Sequence, residues 1–289
     1  MERTADVETT DRVAIVTGAN SGIGKETARE LAAMGMQVFI TCRTRAKGQP
    51  VVEEFREQTG NQKVECLAME LGDFDSVRRC AAEFLERALP LHLLVNNAGI
   101  GVQRGITESG FELAFGTNHL GPFLFTGLLQ ERLLKSAPAR IVIVSSVGHK
   151  SAKGIDFEAV CKTTKSQSGS DEYYTSKLAN VLFSNELSRR LEGTGVNTYS
   201  LHPGIVATEV WRRFPRPITW IAKRFMLSVE DGAKTPIYCA TSPEVAGDSG
   251  LYYDTCATRP VSELARAEPL ARDLWERSQK WVGFEYPSV

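Results

Sequence analysis

Tyr173 and Lys177, in Tyr173-Tyr174-Thr175-Ser176-Lys177, are residue types that could share acid–base chemistry. At the opening of a helix, positions i and i+4 lie on one face, so the two side chains can project together. A free phenol titrates near 10, too high for a base at neutral pH. An ammonium about 4 Å away is worth roughly 4 kcal/mol at a surface-like dielectric, an upper figure of about three pKa units. One lysine could therefore bring the phenol into working range. The same spacing also arises by chance as a surface pair on an amphipathic helix. Upstream, Ser145 and Ser146 follow the apolar run Ile141-Val142-Ile143-Val144. In open α/β sheets ligands sit at the carboxyl ends of the strands, where a serine hydroxyl can hold a substrate oxygen. Strand-end or helix-capping serines would look the same. Asn118, in Phe115-Gly116-Thr117-Asn118-His119-Leu120-Gly121, is an amide within a helical stretch and needs partners there. It could hold a water that feeds protons to Lys177, or cap a kink near Gly121-Pro122.

A second constellation suits a phosphate. The run from Val13 through Thr17-Gly18-Ala19-Asn20-Ser21-Gly22-Ile23-Gly24 to Lys25 passes from a strand directly into a helix. Its glycines permit a tight turn, a close backbone approach to pyrophosphate, and close packing of helix on strand. The helix start adds free N–H groups and partial positive charge. The spacing is GxxxGxG, and its strand-before, helix-after context favours a dinucleotide over simple turn glycines. The next strand ends in Thr41-Cys42-Arg43 with no carboxylate for the adenosine ribose. Arg43 stands there, with Arg45 and Lys47 after it and Lys25 in the glycine loop. Guanidinium grips a 2′-phosphate with two prongs, which favours NADP(H) over NAD(H); a solvated basic turn is the alternative.

The elements that must position these groups alternate. Short β-branched runs at 13–17, 37–41, 63–68, 92–95, 140–144, 196–201 and 250–254 are separated by helical periodicity, including 25–34, 75–88 and 176–191. The expected fold is α/β: a single doubly wound Rossmann-type domain with a parallel sheet of about seven strands, occupying 11–289 after a polar tail at 1–10. Two excursions interrupt the rhythm at 150–170 and 210–228, and long loops in compact domains often bind or cover ligands. Composition excludes other classes. Thirty-four Lys and Arg against 35 Asp and Glu leave no broad basic footprint for nucleic acid. Six cysteines and four histidines are scattered without metal-ligand spacing, so no metal is expected and the cysteines read as reduced, buried small hydrophobes. The polar first ten residues and the absence of a long apolar run lead us to expect neither signal peptide nor transmembrane segment, in a cytoplasmic setting. Trp211, Phe214, Trp220, Ile221 and Phe225 in the second excursion suit an apolar substrate, ordinary lid packing, or peripheral contact with a membrane.

Together these segments resemble the short-chain dehydrogenase/reductase family over roughly residues 11–283. The resemblance rests on TGxxxGxG at Thr17–Gly24, NNAG at Asn96–Gly99, Asn118, Ser146, Tyr173 with Lys177, and Pro203-Gly204. The stretches around Thr17–Leu31, Ser136–Ser146, Ser176–Phe183, His202–Gly204 and Leu274–Ser278 narrow it to the retinol dehydrogenase branch. The resemblance implies hydride transfer between NADP(H) and a small apolar alcohol, aldehyde or ketone, retinoids first. Steroid, quinone or xenobiotic carbonyls remain an alternative, as does a non-catalytic dinucleotide-binding sensor; a homo-oligomer is possible. It further implies that Ser146 orients the carbonyl oxygen, that Tyr173 exchanges the proton, and that Lys177 lowers the tyrosine pKa and holds the nicotinamide ribose. Asn118 supports the relay. Gly18, Asn20, Ser21, Gly22, Ile23, Gly24, Arg43, Lys47, Glu70, Leu71, Asn96, Ala98, Gly99, Tyr173, Lys177, Pro203, Gly204, Val206 and Thr208 are the implied cofactor contacts. Three departures stand out: Glu70 where many relatives have Asp, Ile143 where many have Asn, and a poor match over 150–170.

Overall fold

The computed structural model describes residues 10–204 and 227–289. The readings at Val206 and Thr208, the tail before residue 10 and nearly all of 210–228 lie outside the described residues. Strands β1 (Val13–Thr17), β2 (Gln37–Cys42), β3 (Val64–Ala68), β4 (Leu93–Asn96), β5 (Ala139–Val144), β6 (Val196–His202) and β7 (Leu251–Asp254) form a parallel sheet. A short β8 (Ala257–Thr258), which periodicity did not suggest, adds antiparallel to β7. The order is β3-β2-β1-β4-β5-β6-β7-β8, so the winding reverses between β1 and β4. That reversal opens a crevice at the carboxyl ends of the strands.

Each expected strand is present within a residue or so, because each lies buried on both faces. Along β1, Val13 and Ile15 pack on one side while Ala14 and Val16 pack on the other. The first side holds α3 (Phe74–Leu85), α5 (Gly121–Lys135), α6 (Ser170–Arg190) and α9 (Glu268–Val282) through Phe84, Phe123, Leu182 and Trp275. The second holds α1 (Gly22–Ala33), α2 (Arg45–Thr59) and α7 (Val229–Thr241) through Leu31, Phe55 and Cys239. Two short helices, α4 (Leu113–Phe115) and α8 (Glu263–Arg266), complete the set among the described residues. Helix α3 stops at Leu85 rather than Ala88, which has φ +53°. Helix α6 starts at Ser170, six residues before the expected start at Ser176, so Tyr173 and Lys177 sit fully inside it. Among the described residues no helix is long and apolar enough to cross a membrane.

The excursion at 150–170 is an ordered strap rather than an open loop. Thr164 Oγ1 donates to Glu112 Oε1 at 2.5 Å and accepts from Gly105 N at 2.9 Å, while Phe157 packs between Trp281 and the Arg277 guanidinium. Its periodicity is irregular because its partners are distant in sequence.

A π-helical turn, Gly116–Leu120, joins α4 to α5 and carries His119 into the core. His119 is fully buried, its Nε2 3.0 Å from Ser278 Oγ and its ring against Phe115, Phe123 and Phe183. Burial pushes this imidazole down to about 3, whereas the unfolded chain protonates near 6.5. Its share of stability is therefore full above pH 6.5 and falls as pH drops toward 3, by at most about 1.4 kcal/mol per pH unit. His149 and His202 shift in the same direction for the same reason. We expect His119→Gln to flatten this dependence: between pH 7 and 5 the urea midpoint of the wild type should fall further than that of the variant. Equal falls would show that His119 titrates normally.

Candidate active site

The turn between β1 and α1 is locked to the end of β4. Thr17 Oγ1 accepts from the backbone N–H groups of Asn97 and Ala98 at 3.0 and 2.9 Å, and Asn97 Nδ2 donates to Thr17 O at 2.8 Å. Gly18, at φ +65°, passes so near Ala98 that a Cβ on it would lie 2.8 Å from Ala98 Cα. Only glycine meets both conditions. Ser21 is the N-cap of α1 but makes no side-chain cap, and no acidic residue occupies the first turn. The amides of a 12-residue helix are thus left open at a glycine turn, as a phosphate requires. Asn20 is half-buried and Ser21 exposed; with Gly22, Ile23 and Gly24 they form this one turn.

The basic residues near β2 divide. Lys25 pairs with Glu54 at 2.7 Å, and Arg45 pairs with Glu83 while donating to Cys66 O at 2.9 Å. Arg43 and Lys47 are exposed and carry no ion pair among the described residues. At the end of β3, the Glu70 carboxylate accepts from Gly72 N at 3.3 Å and so folds back on its own turn. The Leu71 side chain lies in the core. Asn96 is likewise turned inward, donating to Thr126 Oγ1 at 2.8 Å on α5. These two side chains are not gathered with the others.

Ser146, Tyr173, Lys177 and Asn118 come together at the carboxyl end of β5. Lys177 is 5% exposed, and its Nζ donates to Val144 O at 3.1 Å and lies 5.8 Å from the Tyr173 ring centre. Burial pushes it down to about 8. Among the described residues two of its three N–H donors have no partner. A Cβ on Gly99 would lie 3.6 Å from Nζ and 3.0 Å from Asn118 Oδ1, so this glycine keeps the floor beside the ammonium clear. Burial raises the Tyr173 phenol above its ordinary value, the reverse of the lowering expected from Lys177, and a hydrogen bond with Ser146 opposes the rise. Ser146 Oγ accepts from Gly148 N at 3.1 Å, so its own hydroxyl proton points to Tyr173 and can pass to a substrate oxygen placed between them. The other serine is spent differently: buried Ser145 donates to Lys177 O at 2.7 Å and fixes α6 against β5. The Tyr174 ring stands edge-on to that of Tyr173, 5.9 Å between centres, and packs on Gly148. Pro203 and Gly204 follow β6 at the same edge, the latter with φ +86°.

Asn118 meets its amide requirement completely. Its Oδ1 accepts from Ile100 N at 2.8 Å, and Nδ2 donates to Ile100 O at 3.1 Å and to Ser176 Oγ at 3.0 Å. The side chain therefore has no donor left for a water. Its carbonyl is different: the α-helical donor four residues on would be Pro122, which has no N–H. Ser176 was not singled out in the sequence. Its hydroxyl donates to Tyr173 O at 2.7 Å while accepting from Asn118, bridging the two. A serine at i+3 from the tyrosine could have signalled such back-bonding. A cavity of about 730 Å³ lined by Phe115, Ile155, Val160, Lys165 and Thr175 holds neither Tyr173 nor Lys177. Thr175 is about 200° around the helix from Tyr173, so this cavity lies behind the catalytic face.

This fold and site define a nucleotide-dependent oxidoreductase. Residues 12–217 match the family model described as short chain dehydrogenase, and the chain belongs to the short-chain dehydrogenase/reductase family. It is 43% identical over 283 residues to human retinol dehydrogenase 11, covering 97% of this chain and 88% of that one. Among solved structures, a protein of Mycobacterium paratuberculosis aligns with TM-score 0.76 and 31% identity, covering 97% of this chain and 96% of that one. A variant of actinorhodin polyketide ketoreductase with NADPH aligns with TM-score 0.68 and 25% identity, over 84% of this chain and 95% of that one.

The Ser176 bridge can be tested directly. Ser176→Ala leaves a buried amide donor unpaired, which costs about 1–3 kcal/mol. We expect a melting midpoint lower by a few degrees and slower turnover, with cofactor affinity nearly unchanged. An unaltered midpoint and turnover would show that the bridge positions nothing.

Proposed function

We propose that this protein transfers hydride between NADP(H) and an apolar alcohol, aldehyde or ketone, with retinol- and retinal-like molecules as the substrate class. The convergence of Ser146, Tyr173, Lys177 and Asn118 on one strand end carries the reading. A protein that only binds dinucleotide has no need of that set. The open α1 amides, the cleared floor at Gly99 and the unpaired donors of Lys177 fit a nicotinamide dinucleotide. Arg43 and Lys47, free of ion pairs among the described residues, support a 2′-phosphate, whereas the neighbouring Lys25 and Arg45 are already engaged. The 43% identity to a protein named retinol dehydrogenase supports the substrate class.

The chemistry of the chain follows from its groups. When bound, the nicotinamide supplies or accepts the hydride. Ser146 donates a hydrogen bond to the substrate oxygen and holds it beside the Tyr173 hydroxyl. In the reductive direction Tyr173, kept protonated by burial, gives its proton to the developing alkoxide. Lys177 stabilises the resulting phenolate through its ammonium and meets the ribose hydroxyls with its spare donors. The Asn118 carbonyl, to which Pro122 offers no i+4 N–H, accepts a hydrogen bond from a water that resupplies the proton. Its amide side chain instead braces the loop at Ile100.

Two variants and a substrate panel test this. Tyr173→Phe keeps the ring and removes the proton, so turnover should fall by roughly 10²–10⁴-fold with little loss of cofactor affinity. Tyr174→Phe, whose ring packs on Gly148, should be tolerated. The opposite pattern would show that the assigned register is wrong. Arg43→Asp should weaken NADPH binding by about 2–3 kcal/mol, the scale of a charge-assisted hydrogen bond plus repulsion. A wild type that prefers NADH would overturn the cofactor assignment. Faster turnover of steroid or quinone carbonyls than of retinal would replace the substrate class.

A further inference from the structure

Two of the six cysteines do not behave as isolated small hydrophobes. Cys42 ends β2 and Cys66 lies within β3. The ladder pairs Ile40 with Cys66 and Cys42 with Ala68, so the two cysteines are diagonal neighbours facing the same side of the sheet. Their sulfurs are 3.4 Å apart, and the Cys42 thiol donates to Thr44 O at 3.0 Å, a bond given up when it ionises. Gly48, in the first turn of α2, covers them. A Cβ there would strike both sulfurs, so no larger residue could sit at that position without parting the thiols. Each cysteine retains slight exposure, 3% for Cys42 and 5% for Cys66.

We propose that Cys42 and Cys66 form a reversible dithiol–disulfide site, closed by hydrogen peroxide, beneath the loop that carries Arg43. The surroundings make the two thiols unequal. The Cys66 hydrogen bond and the nearby Lys47 charge hold Cys42 below its ordinary value, while donation to Cys42 pushes Cys66 up. Helix α2 begins only three residues after Cys42, and its N-terminus favours a thiolate there. The Cys42 thiolate attacks peroxide, the O–O bond breaks, and a sulfenic acid forms with release of hydroxide. That hydroxide takes the Cys66 proton and leaves as water. The Cys66 thiolate then attacks the Cys42 sulfur, forming the S–S bond and expelling a second hydroxide that is protonated to water. Two thiols and one peroxide thus give one disulfide and two waters.

Diagonal neighbours on adjacent strands sit farther apart than a disulfide's usual Cα span, so closing the sulfurs from 3.4 Å to a bond of about 2.05 Å pulls the end of β2 along β3. Arg43 is the next residue and moves with it, as does the turn into α2. The effect on cofactor rests on the assignment of Arg43 and Lys47 to the 2′-phosphate. Binding and oxidation are then coupled reciprocally, so saturating NADPH opposes the disulfide by the same factor by which the disulfide weakens NADPH.

The test uses the full chain treated with hydrogen peroxide, followed by peptide mapping by mass spectrometry and NADPH titration by fluorescence. The expected result is a Cys42–Cys66 crosslink and NADPH binding about tenfold weaker, the effect of losing one charge-assisted contact, restored by dithiothreitol. Cys66→Ala should retain its NADPH affinity after peroxide, and Cys161→Ala, which removes an exposed thiol, should respond like the wild type. Peroxide that leaves both cysteines unlinked, a crosslink without loss of affinity, or equal loss in Cys66→Ala would overturn the proposal. A reduced wild type that binds NADH better than NADPH would instead refute the 2′-phosphate assignment, and the peptide map would still decide whether the dithiol closes.

Discussion

An ammonium buried between a strand end and a helix is an unfavourable thing to fold around, and much of this structure is arranged about it. Lys177 is 5% exposed, with the Val144 carbonyl as its acceptor among the described residues. Desolvation opposes its charge, which is why it shifts down to about 8. The surrounding groups hold it in place: Ser145 fixes its backbone, and Asn180 Nδ2 shares the Val144 carbonyl at 3.3 Å. Gly99 keeps side-chain bulk away from it. The ammonium is thus held with unspent donors at an edge where a sugar hydroxyl can be received.

The same edge depends on the sheet. Reversal of winding between β1 and β4 separates the helices on either side and leaves a crevice that neither layer fills. The Thr17–Asn97 lock ties the two central strand ends together across it. This holds the phosphate turn in register with the strand end that leads to Gly99. Binding of the dinucleotide and positioning of the proton-transfer groups are therefore mechanically linked through one pair of strands.

The π turn at Gly116–Leu120 sends two adjacent side chains to different partners. It places His119 wholly in the aromatic core, and it turns Asn118 toward Ile100 and Ser176. Pro122 has no N–H to offer the Asn118 carbonyl at i+4. π-Bulges occur frequently at functional sites.

The sequence by itself determined the layers, most strand positions and the four residues that meet at β5. A strand buried on both faces must be continuously apolar, and glycine turns and the Tyr–Lys spacing are local patterns that survive without coordinates. Other features appear only in three dimensions. The family resemblance singles out Ser146, but the physical reason lies in packing, which turns Ser145 to Lys177 O and leaves Ser146 at Tyr173. Four basic residues near the adenosine end look alike until Glu54 and Glu83 occupy two of them. Asn96 reads as part of the site, yet Thr126, thirty residues away, draws it inward. Ser176, the ordered strap at 150–170 and the contact of Cys42 with Cys66 likewise depend on partners from distant segments. Local periodicity records which face of an element is apolar, but a hydrogen bond between segments far apart in the chain is chosen only when the tertiary packing brings them within reach.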